Sequence, residues 1–163
     1  MTFTLSAASI AQMSPLDVHA LYKLRVDIFV HEQQCPYAEI DDIDARPDTL
    51  HILGFNDDTR QLAGTARVFP ATVQLPGGAE EVAQFGRFAV HPDARKTGLA
   101  DTILTSALKL AHTLYPGRPV YLEAQAPLVG YYGVYGFEVC GEEFEEDGIP
   151  HRPMIRRGGP STP

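Results

Sequence analysis

The sequence has no tryptophan and only two cysteines, Cys35 and Cys140, among its 163 residues. Two cysteines are too few to build a disulfide scaffold, so we interpret both as free thiols in a reducing compartment. No apolar run approaches the roughly 18 residues that a membrane-spanning helix needs. The first residues also lack the basic and apolar regions of a secretory signal. The expected location is therefore the cytoplasm, with no membrane partner.

Basic residues are scarce relative to acidic ones. The chain has 13 Lys and Arg residues against 21 Asp and Glu residues, a net charge of −8. This balance disfavours binding to a phosphate backbone, and we expect no nucleic-acid partner. The length suits one domain, which we predict over residues 1–157 with a disordered tail over residues 158–163.

A first amphipathic helix is predicted near the N-terminus. Ser14 suits the capping position and Pro15 the first helical position. The spacing of the apolar residues then predicts a helix to about Val30, with Arg25 and Asp27 off the apolar stripe.

The remaining elements indicate a mixed α/β fold. A long helix is predicted from Leu99 until Tyr115-Pro116-Gly117 ends it. The strands before and after it would then be parallel, as in a βαβ unit. Strands are predicted over 49–55, 61–69, 82–90 and 119–125, a loop over 70–78, a short helix over 128–135, and a closing hairpin from 137–144 and 151–155.

The stretch from Phe88 to Ala100 runs from a strand through a basic, glycine-containing turn into a helix. A helix N-terminus presents unpaired N–H groups and a partial positive charge, and Gly98 allows close approach of the backbone. Arg95 and Lys96 add positive charge. Neither a P-loop nor a dinucleotide-binding glycine motif is present. The sequence therefore predicts a pyrophosphate site without a Walker lysine.

His31 lies four residues before Cys35, a spacing that invites a metal-binding or thiol-nucleophile interpretation. No second ligand pair follows at the spacing of a zinc site. We therefore predict no metal site and favour ordinary packing for these residues.

Two motifs resemble those of the GCN5-related N-acetyltransferase (GNAT) family. Residues 95–100, Arg-Lys-Thr-Gly-Leu-Ala, match the family's Arg/Gln-x-x-Gly-x-Gly/Ala acetyl-CoA signature. Residues 132–137, Tyr-Gly-Val-Tyr-Gly-Phe, match its Tyr-x-x-x-Gly-Phe element. The resemblance covers nearly the whole chain and implies a mostly antiparallel mixed sheet flanked by helices, with a parallel βαβ unit at the acyl-CoA cleft. Stretches similar to the ElaA-like branch lie at 25–33, 35–41, 124–125 and 146–151.

The resemblance also implies how the chain would bind its co-substrate, acetyl-CoA. The backbone around Phe88 to Val90 would pair with the pantetheine arm, and the N–H groups of residues 95–100 would hold the pyrophosphate. Tyr132 would protonate the departing CoA thiolate. The expected cofactor-binding residues are Phe88, Ala89, Val90, Arg95, Lys96, Thr97, Gly98, Leu99, Ala100, Gln125 and Tyr132.

The acceptor amine needs a base, because an alkyl amine with a pKa near ~10.4 is almost entirely protonated at pH 7. Many family members place a carboxylate on their fourth strand, but the corresponding stretch of this chain, 84–90, contains none. The candidates are Glu123, Glu32 and His151, whose ordinary pKa near ~6.5 suits the task best. A water relay or proximity alone could also suffice.

Eleven of the 21 acidic residues fall in two short stretches, 39–48 and 138–147. If both border the acceptor cleft, they attract a cationic amine, although charged runs are commonly solvated loops. The predicted function is direct transfer of an acyl group, expected to be acetyl, to a primary amine of a small molecule or peptide. The alternatives are a non-catalytic acyl-CoA-binding regulatory module and a thiol enzyme using Cys35 with His31. The protein would be a monomer or a homodimer.

Overall fold

The computed structural model describes residues 1–158, which form three helices and eight strands among other short elements. The helices are α1 (Pro15–Arg25), α2 (Leu99–Leu114) and α3 (Val129–Gly133). A π-helical segment, Val26–Glu32, continues α1. The strands are β1 (Phe3–Ala8), β2 (Leu50–Asn56), β3 (Leu62–Leu75), β4 (Gly78–Val90), β5 (Val120–Gln125), β6 (Glu138–Val139), β7 (Phe144–Glu146) and β8 (Ile149–Arg156).

These elements form a mixed α/β fold around an open, mostly antiparallel sheet. The strands are hydrogen-bonded in the order β1-β2-β3-β4-β5-β8-β6, and β7 pairs with β8. The parallel pair is β4 and β5, in which Ala83 faces Val120 and Gln84 faces Tyr121. Helix α2 connects these two strands in the chain, so the predicted βαβ unit is confirmed.

The chain divides into two compact units. The first contains residues 1–68 and 87–107, and the second contains residues 69–86 and those from 108 onward. The extent of one domain over residues 1–157 stays a prediction. The tail predicted at residues 158–163 lies, apart from Gly158, outside the described residues.

The first unit has its core between α1 and the strands. Leu21, Leu24 and Ile28 are buried together with Leu53 and Leu62. The predicted helix start is confirmed, since Ser14 Oγ accepts a hydrogen bond from the Asp17 backbone N–H at 3.1 Å. Arg25 departs from the sequence expectation, because its side chain lies fully inside this unit.

Two glycines allow α2 to begin close to the strands. A Cβ atom added at Gly64 on β3 would lie 2.6 Å from Ile103 Cδ1, and one at Gly54 on β2 would lie 3.2 Å from Leu99 Cδ1. Any larger residue at position 64 would push the first turns of α2 away. These contacts therefore fix the position of the turn that precedes α2.

The prediction of a loop over residues 70–78 is wrong. Strand β3 continues to Leu75, and β4 begins at Gly78 after a tight turn. Alternate apolar residues of this part of β3, including Val73 and Leu75, pack against a buried cluster that contains Val82. Burial with the period of a strand thus outweighs the turn-forming prolines at 70 and 76.

The ends of the chain also differ from the expected elements. Strand β1 was not predicted, and it gains its stability by pairing along its whole length with β2. The closing hairpin is shorter than predicted, because β6 and β7 are separate strands that both pair with β8. Its turn is formed by Asp147 and Gly148, both at positive φ, as in the favoured Asp-Gly hairpin turns.

Candidate active site

The turn between β4 and α2 places a glycine with positive φ directly before a long helix. Gly98 has a φ of +89°, and no described atom beyond residues 97–99 lies within 4 Å of the position that a Cβ would take. The Thr97 hydroxyl donates to Ala94 O and accepts from the Leu99 N–H at 3.4 Å, which orders the turn. The 16-residue helix α2 then begins, with the Thr102 N–H donating to Gly98 O at 3.1 Å. The N-terminal N–H groups of α2 thus adjoin an open backbone that an anion can approach.

Arg95 in this turn is paired with Glu32, another residue singled out by the sequence. Its Nη1 and Nη2 donate to the two carboxylate oxygens of Glu32, each at 2.7 Å, and its Nε donates to Val90 O at 3.1 Å. Hydrogen bonds from Arg95 hold the pKa of Glu32 below its ordinary value. A carboxylate with a lowered pKa is a weaker base, so this geometry disfavours Glu32 as the proton acceptor.

The backbone of β4 is irregular just before the predicted pantetheine residues 88–90. Arg87 has a φ of +50°, a conformation that costs a non-glycine residue about 1–3 kcal/mol. Its side chain is held by Glu39, whose Oε2 lies 3.0 Å from Nε, and by Asp41, whose Oδ2 lies 3.3 Å from Nη2. Sequence reasoning missed Arg87, since a backbone angle leaves no signal in a residue pattern.

The first acidic stretch is largely committed to internal ion pairs. Arg25 donates to Glu39 Oε2 and to Asp44 Oδ1, each at 2.6 Å, with all three side chains buried. Arg67 lies 2.7 Å from Asp41 and 2.8 Å from Asp44. The hydrogen bonds and charge of Arg25 lower the pKa of Asp44 to about 2, despite its burial. These three carboxylates are therefore paired within the protein, which leaves less of their charge to attract a cationic acceptor.

Tyr132, the predicted acid, lies in the second unit on α3. Its ring is edge-on to Tyr131 and to Phe137, with centroids 5.2 and 6.0 Å away, and only 7% of the residue is exposed. Burial raises the pKa of its phenol well above the ordinary value. The hydroxyl is therefore protonated at neutral pH and has a proton to donate.

Glu123 lines an open depression of the second unit. Tyr121, Glu123 and Gln125 alternate along β5 and share one face of it. Desolvation by surrounding protein atoms, and the nearby charge of Glu146, raise the pKa of Glu123. The depression has a volume of about 380 Å³, and its lining residues are Gln74, Leu75, Pro76, Tyr121, Glu123, Cys140, Gly141, Glu142, Phe144 and Pro153.

His151 on β8 lies opposite Gln125 and has a defined hydrogen-bonding partner. Its Nδ1 is 2.8 Å from Ile149 O, and a carbonyl oxygen only accepts, so Nδ1 carries the proton of the neutral ring. The lone pair therefore resides on Nε2, which lies 4.0 Å from Glu146 Oε2. The ring also stacks on Phe144 at 5.7 Å between centroids. These contacts leave Nε2 as the atom that can accept a proton.

The structure does not favour the thiol-enzyme alternative. Cys35 is buried at 6% exposure in the first unit, whereas His31 is exposed. Reactive cysteines are normally accessible and lie beside their base. Within residues 1–158, no three His, Cys, Asp or Glu side chains are grouped so that they could hold a metal ion. None of the helices in the same residues combines the length and apolar character of a membrane span.

Comparison with known proteins agrees with the two sequence motifs. The acetyltransferase (GNAT) domain model matches residues 27–157. Protein ElaA of Escherichia coli is 36% identical over 146 residues, which cover 90% of this chain and 91% of ElaA. A UPF0039 protein of Mycobacterium tuberculosis is 40% identical over 88% of each chain.

Solved structures are similar over nearly the full length. An acyl-CoA N-acyltransferase from Pseudomonas aeruginosa superposes with a TM-score of 0.84 at 36% identity, covering 96% of this chain and 100% of that one. The crystal structure of Escherichia coli ElaA gives the same TM-score and coverage at 33% identity. By its sheet, its motifs and these relatives, the chain belongs to the GNAT acetyltransferase family.

Proposed function

We propose that this protein is an acyl-CoA-dependent N-acyltransferase that uses acetyl-CoA and acts on a primary amine in the cytoplasm. The observation that supports this best is the turn before α2, where Gly98 leaves an open backbone at a helix N-terminus. A diphosphate is the group that such a turn binds well, because N–H groups and the helix dipole both favour negative charge.

The donor would be bound by residues of β4 and of this turn. The N–H groups from Arg95 to Ala100 would hold the diphosphate of CoA, with Arg95, Lys96 and Thr97 as side-chain contributors. The backbone of Phe88, Ala89 and Val90 would pair with the pantetheine amides, as a further strand does. Gln125 and Tyr132 would contact the thioester end.

The acyl group would pass directly from the thioester to the amine, without a covalent enzyme intermediate. The amine nitrogen attacks the thioester carbonyl, the C–N bond forms and the C–S bond breaks. His151 Nε2 accepts the proton that the amine loses, and Glu146 at 4.0 Å stabilises the resulting imidazolium. Tyr132 donates its phenolic proton to the departing CoA sulfur. Glu123, with its raised pKa, is the second choice of base.

The acceptor would be a cationic amine of a small molecule or peptide that enters the depression beside Glu123. Its lining includes Glu142 together with the aromatic rings of Tyr121 and Phe144, and no Lys or Arg. Carboxylates attract an ammonium group, and aromatic faces bind it by cation–π interaction. All six carboxylates of the second acidic stretch, 138–147, are exposed, and their negative charge adds to this attraction.

The test is release of CoA from acetyl-CoA in the presence of polyamines and lysine-containing peptides. Tyr132→Phe and His151→Asn should each lower kcat about 10²-fold or more, because each removes a group that transfers a proton. Each should lower kcat far more than it weakens the binding of acetyl-CoA. Tyr131→Phe is the matched control, since Tyr131 is the neighbouring tyrosine and is 36% exposed.

Three results would contradict the proposal. Tight binding of acetyl-CoA without turnover on any amine would identify a regulatory acyl-CoA-binding module instead. Full activity in Tyr132→Phe together with its loss in Cys35→Ser would identify a thiol enzyme. Absence of acetyl-CoA binding would refute the assignment of the phosphate-binding turn.

A further inference from the structure

The guanidinium in the phosphate-binding turn already holds an anion of the protein itself. Arg95 makes two parallel hydrogen bonds of 2.7 Å to the two oxygens of Glu32. This is the fork geometry in which arginine also binds phosphate oxygens. Both side chains are 42% exposed, so a dissolved anion can reach the pair. Glu32 thus occupies the donors that a diphosphate would use.

Glu32 also changes the charge that the turn presents to a ligand. The stretch 91–100 contains two cationic side chains, Arg95 and Lys96, and one carboxylate, Asp93. The ion pair neutralises one of the two cations before any ligand arrives. An approaching diphosphate is therefore attracted by the Arg95 guanidinium but repelled by the neighbouring Glu32 carboxylate, which carries the same sign of charge.

The carboxylate is presented by an ordered helix end rather than by a loose loop. Glu32 is the last residue of the π-helical segment that continues α1. Ile28 of this segment is buried in the core of the first unit, and its carbonyl accepts the Gln33 N–H at 3.1 Å. Arg95 is fixed equally well, because its Nε donates to Val90 O at 3.1 Å. The pair is therefore built into the first unit.

We propose that Glu32 competes with the diphosphate of CoA for Arg95 and so lowers the affinity of the enzyme for CoA. The proposal rests on the proposed function, because it requires CoA to bind at residues 95–100. Free CoA therefore leaves the enzyme faster after transfer, because Glu32 pairs with the Arg95 guanidinium again as the product leaves. Release of product limits the rate of many enzymes.

The test compares the Kd of CoA for the wild type and Glu32→Gln by titration calorimetry at low ionic strength. Exposed ion pairs contribute about 0.2–1 kcal/mol, so removal of the competitor should tighten CoA binding up to about fivefold. The gain should shrink in 0.5 M salt, which screens charges at the surface. Dephospho-CoA, which retains the diphosphate but lacks the 3′-phosphate, should show the same gain.

Two further variants make the measurement specific. Glu80→Gln is the matched control, because Glu80 forms a similar two-bond pair with the exposed Arg157, at 2.6 and 2.9 Å, in the second unit. It should leave the Kd of CoA unchanged. In an Arg95→Gln background, Glu32→Gln should tighten binding much less, since the shared guanidinium is gone.

The possible outcomes separate the two proposals. An unchanged or weaker affinity in Glu32→Gln would overturn the competition, and a weaker one would show that Glu32 positions Arg95 for the ligand. An equal gain with and without Arg95, or a gain confined to CoA and absent for dephospho-CoA, would also overturn it. Failure of the wild type to bind CoA at all would instead refute the proposed function on which the competition depends.

Discussion

The buried carboxylate Asp44 offers a quantitative test of what stabilises the first unit. It is fully buried, and it accepts hydrogen bonds from Arg25 Nη1 at 2.6 Å, Arg25 Nη2 at 3.1 Å and Arg67 Nη1 at 2.8 Å. The substitution Asp44→Asn keeps the size of the side chain and removes its charge. It leaves both guanidinium groups without their shared anion.

The expected loss follows from the pKa of Asp44, which falls from 3.8 to about 2 in the folded protein. At 1.36 kcal/mol per pKa unit, ionised Asp44 contributes about 2 kcal/mol to the free energy of unfolding. This contribution is fully present above pH ~3.8 and is lost as the pH falls toward 2, because the folded pKa is the lower one. Arg25 keeps its pair with Glu39 and Arg67 keeps its pair with Asp41, but both lose the buried anion that they share. The total loss at pH 7 should therefore lie at the lower end of the roughly 3–5 kcal/mol that breaking a buried ion pair costs.

The assay is urea unfolding at pH 7 and at steps down to pH 3. Asp42→Asn serves as the matched control, since Asp42 lies in the same short 3₁₀ helix, Asp42–Ala45, with an exposed side chain. It should change the free energy of unfolding by less than about 0.5 kcal/mol. The difference between wild type and Asp44→Asn should narrow as the pH falls below ~4. Equal stability of the two variants, or a difference independent of pH, would refute the argument.

Two further predictions concern backbone positions with positive φ. Arg87→Ala should be less stable than Arg87→Gly by about 1–2 kcal/mol in thermal unfolding. Both variants lose the ion pairs, but only alanine retains the energetic cost of a φ of +50°. The reverse order of stability would contradict backbone strain at this residue. Gly98→Val should weaken the binding of CoA at least about tenfold. Gly117→Val is the control, because Gly117 has a similar φ of +84° and similarly open space around it. It should cost comparable stability but leave the Kd of CoA unchanged. Equal losses of CoA affinity in the two variants would contradict the role of Gly98.

Features determined by neighbouring residues were predictable from the sequence. The helix start at Ser14, the βαβ order and the glycine-containing turn before α2 each depend on a few consecutive residues and on the period of apolar side chains. The family followed from two short motifs in the expected order. The candidate site residues could be named for the same reason, because the motifs contain most of them.

Only the tertiary structure decided which charges are used internally and which remain for ligands. Glu32 and Arg95 are 63 residues apart, and Arg25 and Asp44 are 19 apart, so no local pattern reveals either pair. From the sequence, the acidic stretch 39–48 could be a solvated loop or a surface that attracts a cation, yet burial of Arg25 and Arg67 requires its carboxylates as partners. Likewise, the tautomer of His151 depends on a carbonyl that β8 places 2.8 Å from its ring. Composition determined the net charge, whereas folding determined where that charge can act.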